Sequence, residues 1–286
     1  MRPSFDRIDP TGPETPVIVE VPHAGLDIPA PFLEPLAAPA RAIARDADLY
    51  VDQLYADAPL EGATLLVARF SRYAIDVNRG EGDIDADVVE GGRGDIRVHH
   101  GLVWRTTSDG EAALSRRLTR DELEERLDLI WRPYHRELGL LVEAKLERFG
   151  IAIILAAHSM PSIERGPATT GHVTRDSARR RADVVPGTRG RRSADGRFID
   201  ATETCAVDHG WSVRHDDPYA GGFTTQHYGR PADRVHVLQV ELARRLYLNE
   251  TTLRPLPSFE SVRGWCRGLV AQLSAMGLDR AESRTT

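Results

Sequence analysis

Cysteine is scarce in this chain of 286 residues, which carries only Cys205 and Cys266 and no CxxC pair. Two thiols are too few for a disulfide framework. Without a CxxC pair, a zinc cluster held by cysteines is not expected either. The N-terminus is polar and rich in proline, without the apolar segment of a signal peptide. We therefore expect a reducing, cytoplasmic location.

Long hydrophobic runs and an excess of basic charge are also missing. The longest apolar run, IAIILAA at residues 151–157, is far too short to span a bilayer. The chain has 37 basic and 43 acidic residues, a formal net charge of −6, which argues against nucleic acid or an anionic membrane as a partner. GxSxG, Walker A, HExxH and strand-linked GxGxxG motifs are absent. These absences leave a small molecule as the expected partner and do not specify an oligomeric state.

Strand patterns alternate with helical patterns along the chain. This alternation predicts an α/β sandwich, with helices on both faces of a mostly parallel or mixed sheet. We expect a single domain over residues 1–286, with residues 1–15 as a mobile lead-in. The patterns predict strands at 17–21, 63–70 and 151–159, an extended segment at 73–78, a helix within 32–59 that starts near Asp46 or Asp48, a helix over 114–150 that Pro133 kinks or divides, a strand that turns helical within 234–250, and a last helix near 259–277.

Two histidines each follow a strongly apolar strand pattern. His23 comes after VIVEVP and His158 comes after IAIILAA. Ligands of α/β sheets bind beyond the carboxyl ends of the strands, where rigid backbone holds metal ligands accurately. A third ligand would be one of the nearby carboxylates, Asp46, Asp48 or Asp52. The alternative is that each histidine is a hydrogen-bonded core residue.

Two further segments carry polar residues beside apolar ones. In FSRYAIDVNR, Arg79 can present a bidentate fork to a carboxylate, or it can form a salt bridge with Asp76. In VLQVELARRLY, Glu241 lies in the apolar end of a strand pattern, where burial would raise the pKa and suit a general base. The alternative for Glu241 is a glutamate at a helix N-terminus.

The loop DPYAGGFTTQHYGRP at 217–231 places three polar side chains within one turn, namely His227, Tyr228 and Arg230. Such clusters on loops are often ligand contacts, and an ordinary ordered loop is the alternative. The arginine-rich section at 175–197 is expected to be solvated surface for most of its arginines, and a loop over the active site is the alternative.

Together these segments resemble the N-formylglutamate amidohydrolase family, which is similar in architecture to zinc carboxypeptidases and aspartoacylases. The resemblance implies a three-layer α/β fold with a mixed central sheet and one zinc ion. Those relatives carry an HxxE motif, but Leu26 stands three residues after His23, so the acidic ligand must come from elsewhere. Asp48 is our choice, because DLYVDQL is similar to the family pattern, and Asp46 is the alternative. The matching pieces are VPHAG, RDADLYVDQLY, LLVARFSRYAIDVNR, AAHSMPS, DVVPGTRGRRSADGRF, YAGGFTTQHYGRP and VHVLQVELARRLYLNE, which span about residues 15–250.

The resemblance also implies roles for individual residues. It implies zinc ligands at His23, Asp48 and His158, a general base at Glu241, a grip on the substrate carboxylate by Asn78 and Arg79, and further substrate contacts by Arg72, His227, Tyr228 and Arg230. The implied reaction releases formate and L-glutamate from N-formyl-L-glutamate. The alternatives are an amidase or carboxypeptidase-like hydrolase for another N-acyl amino acid, a different divalent metal, and a non-catalytic amino-acid-binding protein on the same scaffold.

Overall fold

A six-stranded sheet forms the centre of the protein, for which a computed structural model describes residues 3–92, 100–164 and 179–282. Its strands are β1 (Phe5–Ile8), β2 (Val17–Val21), β3 (Thr64–Ala68), β4 (Ala152–Met160), β5 (Val184–Gly187) and β6 (Val235–Ala243). They lie in the order β1-β3-β2-β4-β6-β5. The four inner strands are mutually parallel, while β1 and β5 run antiparallel at the two edges. The mixed sheet predicted from the sequence is confirmed.

Helices cover both faces of the sheet. They are α1 (Ala40–Asp46), α2 (Val51–Leu54), α3 (Arg120–Arg126), α4 (Arg132–Phe149), α5 (Gly196–Asp208), α6 (Phe223–Tyr228) and α7 (Phe259–Glu282). A short hairpin, β7 (Leu248–Asn249) and β8 (Arg254–Pro255), precedes α7. Among the described helices, none combines the length and apolarity that a membrane crossing requires.

The inner strands read as continuous apolar runs because both of their faces are buried. In β2, Val17 and Val19 belong to the hydrophobic cluster under α2, α5 and α7. Ile18, between them, belongs to the cluster on the opposite face, under α3 and α4. Each such side chain contributes about 1.5–3 kcal/mol through burial. The three-layer α/β sandwich is therefore confirmed. The sheet draws its strands from residue 5 to residue 243, and the single domain stays a prediction.

The sequence prediction for the N-terminal lead-in is wrong in part. Residues 5–8 form β1, which pairs antiparallel with β3 and closes one edge of the sheet. Four residues are too few to show a clear alternation, and only the partner strand supplies their hydrogen bonds. The segment at 73–78, predicted to be extended, is a series of turns instead, in which the Asp76 side chain accepts a hydrogen bond from Asn78 N at 2.9 Å.

The long helical pattern is divided near Pro133, as predicted. Helix α3 begins with a capping box, in which Thr119 Oγ1 accepts from Glu122 N at 3.2 Å and the Glu122 carboxylate accepts from Thr119 N at 2.7 Å. A π-helical turn at Leu127–Trp131 then separates α3 from α4. Pro133 follows this turn directly, as the second residue of α4, and it has no N–H to donate to the preceding turn.

The acidic segment and β6 differ from expectation at positions that matter for function. Asp46 ends α1 rather than starting a helix, and Asp48 lies in the bend before α2. Strand β6 continues to Ala243, so Glu241 is inside a strand and the alternative of a helix N-terminal glutamate is wrong. A short 3-10 turn, Arg244–Leu246, follows directly.

Candidate metal centre and active site

The carboxyl ends of β2, β4 and β6 bring three of the predicted side chains to one edge of the sheet. His23 follows β2 by two residues, and His158 and Glu241 are paired in register on the adjacent strands β4 and β6. All three side chains are buried. Parallel strands end at the same edge of a sheet, and this is why residues far apart in sequence meet there.

Two imidazole nitrogens and one carboxylate oxygen converge at this edge. His23 Nδ1 lies 3.2 Å from His158 Nδ1, and Asp48 Oδ2 lies 3.5 Å and 3.1 Å from those two atoms. Ligand atoms about 2.0–2.1 Å from a tetrahedral zinc lie about 3.3 Å from one another. The triangle of atoms therefore fits one face of a tetrahedral metal site, and this buried group can hold a metal ion.

The first histidine is held from behind by a buried carboxylate. His23 Nε2 lies 2.7 Å from Asp76 Oδ1. Arg72 donates to Asp76 Oδ2 from Nε at 3.1 Å and Nη2 at 2.7 Å, and Trp104 Nε1 donates at 3.2 Å. Burial acts to raise the pKa of Asp76, but the charges of Arg72, His23 and Arg79 together outweigh it and hold that pKa well below its usual range. The ionised carboxylate fixes the ring so that Nδ1 faces the centre.

The second histidine is held by an amide. Asn78 Nδ2 lies 3.2 Å from His158 Nε2, and Asn78 Oδ1 accepts from Thr224 N at 3.0 Å. The backbone of Gly222 presses against this amide, since a Cβ added there would lie 2.4 Å from Asn78 Nδ2. Glycine is thus required for the chain to pack so closely on Asn78.

The carboxylate that completes the group is Asp48, while Asp46 is turned away from the histidines. Asp48 Oδ1 accepts from Arg244 Nη2 at 3.1 Å, and Asp48 N donates to His23 O at 2.9 Å. Burial opposes ionisation of Asp48, but hydrogen bonds with His158 and His23 outweigh it and hold its pKa well below the usual range. Asp46 Oδ2 instead accepts from Tyr73 Oη at 2.6 Å and from the backbone of residue 108 at 3.0 Å. Asp52 lies in α2, outside the group.

Glu241 lies beside this triangle and has one side-chain hydrogen-bond partner among the described residues. Gln239 Nε2 donates to Glu241 Oε1 at 2.9 Å, and Gln239 Oε1 accepts from Gly222 N at 2.9 Å. Burial raises the pKa of Glu241, and the charge of Asp48 acts in the same direction while that of His158 opposes it. A carboxylate with a raised pKa takes up a proton more readily, as a general base must.

A cavity of about 560 Å³ opens onto these residues. Its wall includes His23, Asp48, His158 and Glu241, together with Asn78 and Arg79. Arg72 also lines it, with its guanidinium bound to Asp76 as described above. The salt bridge expected as the alternative in this segment does form, but Arg72 makes it with Asp76 at 2.7 Å, and no ion pair joins Arg79 to Asp76 within the described residues.

Three predicted substrate contacts lie away from the cavity wall. Tyr228 is packed against His135, with its hydroxyl 3.1 Å from His135 Nδ1. His227 stacks on Phe223 with ring centroids 4.9 Å apart. Arg230 pairs with Asp233 on the surface, at 3.2 Å. The structure therefore does not bring His227, Tyr228 or Arg230 together with the metal group, and the alternative of an ordered structural segment describes them better.

Several residues of the site carry no clear sequence signal. Asp76 is recognisable only as an acidic residue near two arginines, and Gln239 only as a polar residue two positions before Glu241. In the arginine-rich section, Arg191 and Arg192 are exposed as predicted, but Arg181 lines the cavity. Residues 175–178 of that section lie outside the described residues. Arg45, Arg244 and Tyr219 also line the cavity without having been predicted.

The chain is similar to known proteins over most of its length. A family model described as N-formylglutamate amidohydrolase matches residues 15–248. The N-formylglutamate deformylase of Pseudomonas putida is 32% identical over 239 residues, covering 82% of this chain and 83% of the relative. That of Pseudomonas aeruginosa is 30% identical, covering 93% and 95%. The crystal structure of N-formylglutamate amidohydrolase from Ralstonia eutropha JMP134 superposes with a TM-score of 0.84 at 30% identity, over 96% of this chain and 98% of that one.

Proposed function

The chain belongs to the N-formylglutamate amidohydrolase family, and from that premise we propose that it hydrolyses the formyl amide of N-formyl-L-glutamate to formate and L-glutamate with one bound zinc ion. The observation that carries the proposal is the triangle of His23 Nδ1, His158 Nδ1 and Asp48 Oδ2 beside Glu241. Three protein ligands with space for water are typical of a hydrolytic zinc site.

In this mechanism His23, His158 and Asp48 hold the ion. When bound, a zinc ion supplies Lewis-acid polarisation of water and of the substrate carbonyl. Glu241 accepts the proton of the attacking water and then delivers it to the nitrogen of the departing glutamate. Asp76 keeps the ring of His23 oriented while the carboxylate of Glu241 moves the proton.

Arg79 binds the α-carboxylate of the substrate in this proposal. Its Nε donates to His100 O at 2.8 Å and its Nη1 donates to Asn78 O at 2.9 Å, so that backbone oxygens orient the guanidinium without neutralising its charge. An oriented, cationic fork is suited to a carboxylate, and it would place the formyl group at the metal centre.

An Arg79→Met variant is expected to lower kcat/KM for N-formyl-L-glutamate by about 100-fold, because a buried charge pair loses one partner. The same variant should change kcat/KM for the α-amide of this substrate by less than about threefold, since the amide has no charge to lose. Steady-state kinetics on both compounds measures the difference. Equal losses on the two compounds would show that Arg79 acts only in holding the fold.

The proposed function itself is tested by measuring formate and free glutamate after incubation of the zinc-loaded enzyme with N-formyl-L-glutamate. We expect the two products in equal amounts, and no turnover after treatment with a chelator. N-acetyl and N-succinyl amino acids serve as comparison substrates. Faster release from one of them would make the protein an amidase of another specificity, and binding without any release would make it a non-catalytic binding protein. The cytoplasmic location stays a prediction.

A further inference from the structure

Five arginines line the cavity, and they fall into two groups by the charge of their partners. Three of them form ion pairs with aspartates, namely Arg45 with Asp109, Arg72 with Asp76 at 2.7 Å, and Arg244 with Asp48 at 3.1 Å. The charge of each of these three is compensated within the protein. They serve to hold the walls of the cavity and the metal group in place.

The other two, Arg79 and Arg181, donate to neutral oxygens. Arg181 Nη1 donates to Pro161 O at 3.2 Å and to Tyr219 Oη at 3.2 Å. The guanidinium also lies over the ring of Tyr219, with Cζ 5.3 Å from the centroid. Neither arginine forms an ion pair with any residue in the described ranges. We call these two oriented cations uncompensated, in the sense that neither has an ion-pair partner among the described residues.

The Nε of Arg181 adds a second observation, because it is a buried donor without a hydrogen-bond partner among the described residues. A buried donor that is left unsatisfied destabilises the protein, and more so when it is charged, so such donors are usually met by a ligand or water. A carboxylate is the ligand that best matches an arginine fork.

The two uncompensated arginines reach the cavity from different parts of the sheet. Arg79 belongs to the turns that follow β3, on one side of the metal group, and Arg181 belongs to the segment that leads into the edge strand β5, next to β6. Two separated cations match a dianion whose carboxylates stand at the two ends of a short chain. N-formyl-L-glutamate, the substrate of the proposed function, is such a dianion.

We propose that Arg181, oriented by Tyr219, binds the side-chain carboxylate of the substrate and so determines the preference for an acidic N-formyl amino acid. This inference rests on the proposed function and adds the specificity of the same cavity to it. Arg181 touches substrate without taking part in proton transfer, which stays with Glu241. Tyr219 acts through Arg181 and is a positioning residue.

The test compares N-formyl-L-glutamate with N-formyl-L-glutamine, whose side-chain amide has the same shape without the charge. For the wild-type enzyme we expect kcat/KM to favour the glutamate compound by about 100-fold. Arg181→Met should lower kcat/KM for the glutamate compound by about 100-fold and change that for the glutamine compound by less than about threefold. Arg181→Lys, which keeps the charge but loses the fork, should fall between wild type and Arg181→Met. Arg180→Met, at an exposed neighbouring arginine outside the cavity wall, is the matched control and should leave the ratio unchanged.

The outcomes separate this inference from the proposed function. One outcome is that the wild type turns over N-formyl-L-glutamate while Arg181→Met loses kcat/KM equally for the glutamate and glutamine compounds. That result would overturn the inference and leave the proposed function intact. The inference would also be overturned if Arg181→Met lost the preference for N-formyl-L-glutamate over its α-amide but kept the preference over N-formyl-L-glutamine. If the wild type releases no formate, the proposed function is contradicted. The inference on Arg181 is then tested separately by calorimetric titration with glutarate. In that case about 100-fold weaker glutarate binding by Arg181→Met supports it, and unchanged binding overturns it.

Discussion

Replacing Glu241 with glutamine is expected to lower kcat for N-formyl-L-glutamate by at least about 100-fold, while the metal content stays that of the wild type. The change keeps the size of the side chain and the hydrogen bond to Gln239, but it removes the group that takes the proton. General acid–base catalysis contributes about 10²–10⁴-fold, so a loss in that range is the expected result. KM should change little, because Glu241 moves a proton and is not needed to hold the substrate.

The measurement is steady-state kinetics of formate release combined with metal analysis of the same samples. Glu203→Gln is the matched control, since it makes the same chemical change on α5, where Glu203 pairs with His215 at 2.9 Å outside the cavity wall. It should keep wild-type kcat. A Glu241→Gln enzyme within about tenfold of wild type would remove Glu241 from the role of base. A variant that loses its metal would show that Glu241 contributes to binding the ion as well.

The residues at the ends of inner strands were predictable because a simple physical pattern marks them. A strand buried on both faces is a continuous apolar run, so the first polar residue after it is conspicuous, as at His23 and His158. The parallel arrangement then brings such residues to one edge. Asp48 required the family resemblance, because Asp46 stands only two residues before it in the same acidic stretch. Only the tertiary structure shows that Asp46 is bound to Tyr73.

The residues that escaped prediction are those whose roles depend on long-range contacts. Asp76 supports His23 across 53 positions of sequence, and Gln239 matters because it links Gly222 to Glu241. No local periodicity records such contacts. Arg181 lies in a section where Arg180, Arg191 and Arg192 are exposed, and its position in the cavity wall distinguishes it from them.

The loop at 217–231 shows the opposite case, in which the predicted cluster of polar side chains does not line the cavity. His227, Tyr228 and Arg230 are close in sequence, but α6 turns them toward different surroundings. The functional contribution of this segment comes from its backbone at Gly222, which packs on Asn78, and from Tyr219, which contacts Arg181. Polar clusters in sequence are therefore weaker guides than polar residues at the ends of buried strands.

Removing both histidines of the metal group, in a His23→Ala, His158→Ala variant, is expected to abolish zinc binding and to lower activity below the detection limit. Purified wild-type protein should contain about one zinc ion per chain. In a thermal unfolding experiment, zinc at about 100 times its Kd should stabilise the wild type by about 2.7 kcal/mol, because the ion binds only the folded state. The double variant should show neither the metal in elemental analysis nor this stabilisation, and that readout is independent of catalysis.

Two single variants sharpen this test of the ligands. Asp48→Asn should weaken zinc binding strongly, because the amide cannot supply the charge of the carboxylate in a buried site. Asp46→Asn should keep about one zinc per chain, since Asp46 bonds to Tyr73 and the backbone of residue 108 and not to the histidines. Loss of zinc in Asp46→Asn together with retention of zinc in Asp48→Asn would identify Asp46 as the third ligand. Retention of a full zinc ion by the double histidine variant would contradict this metal site. The described residues contain no second buried group with three convergent ligand atoms to which the ion could move.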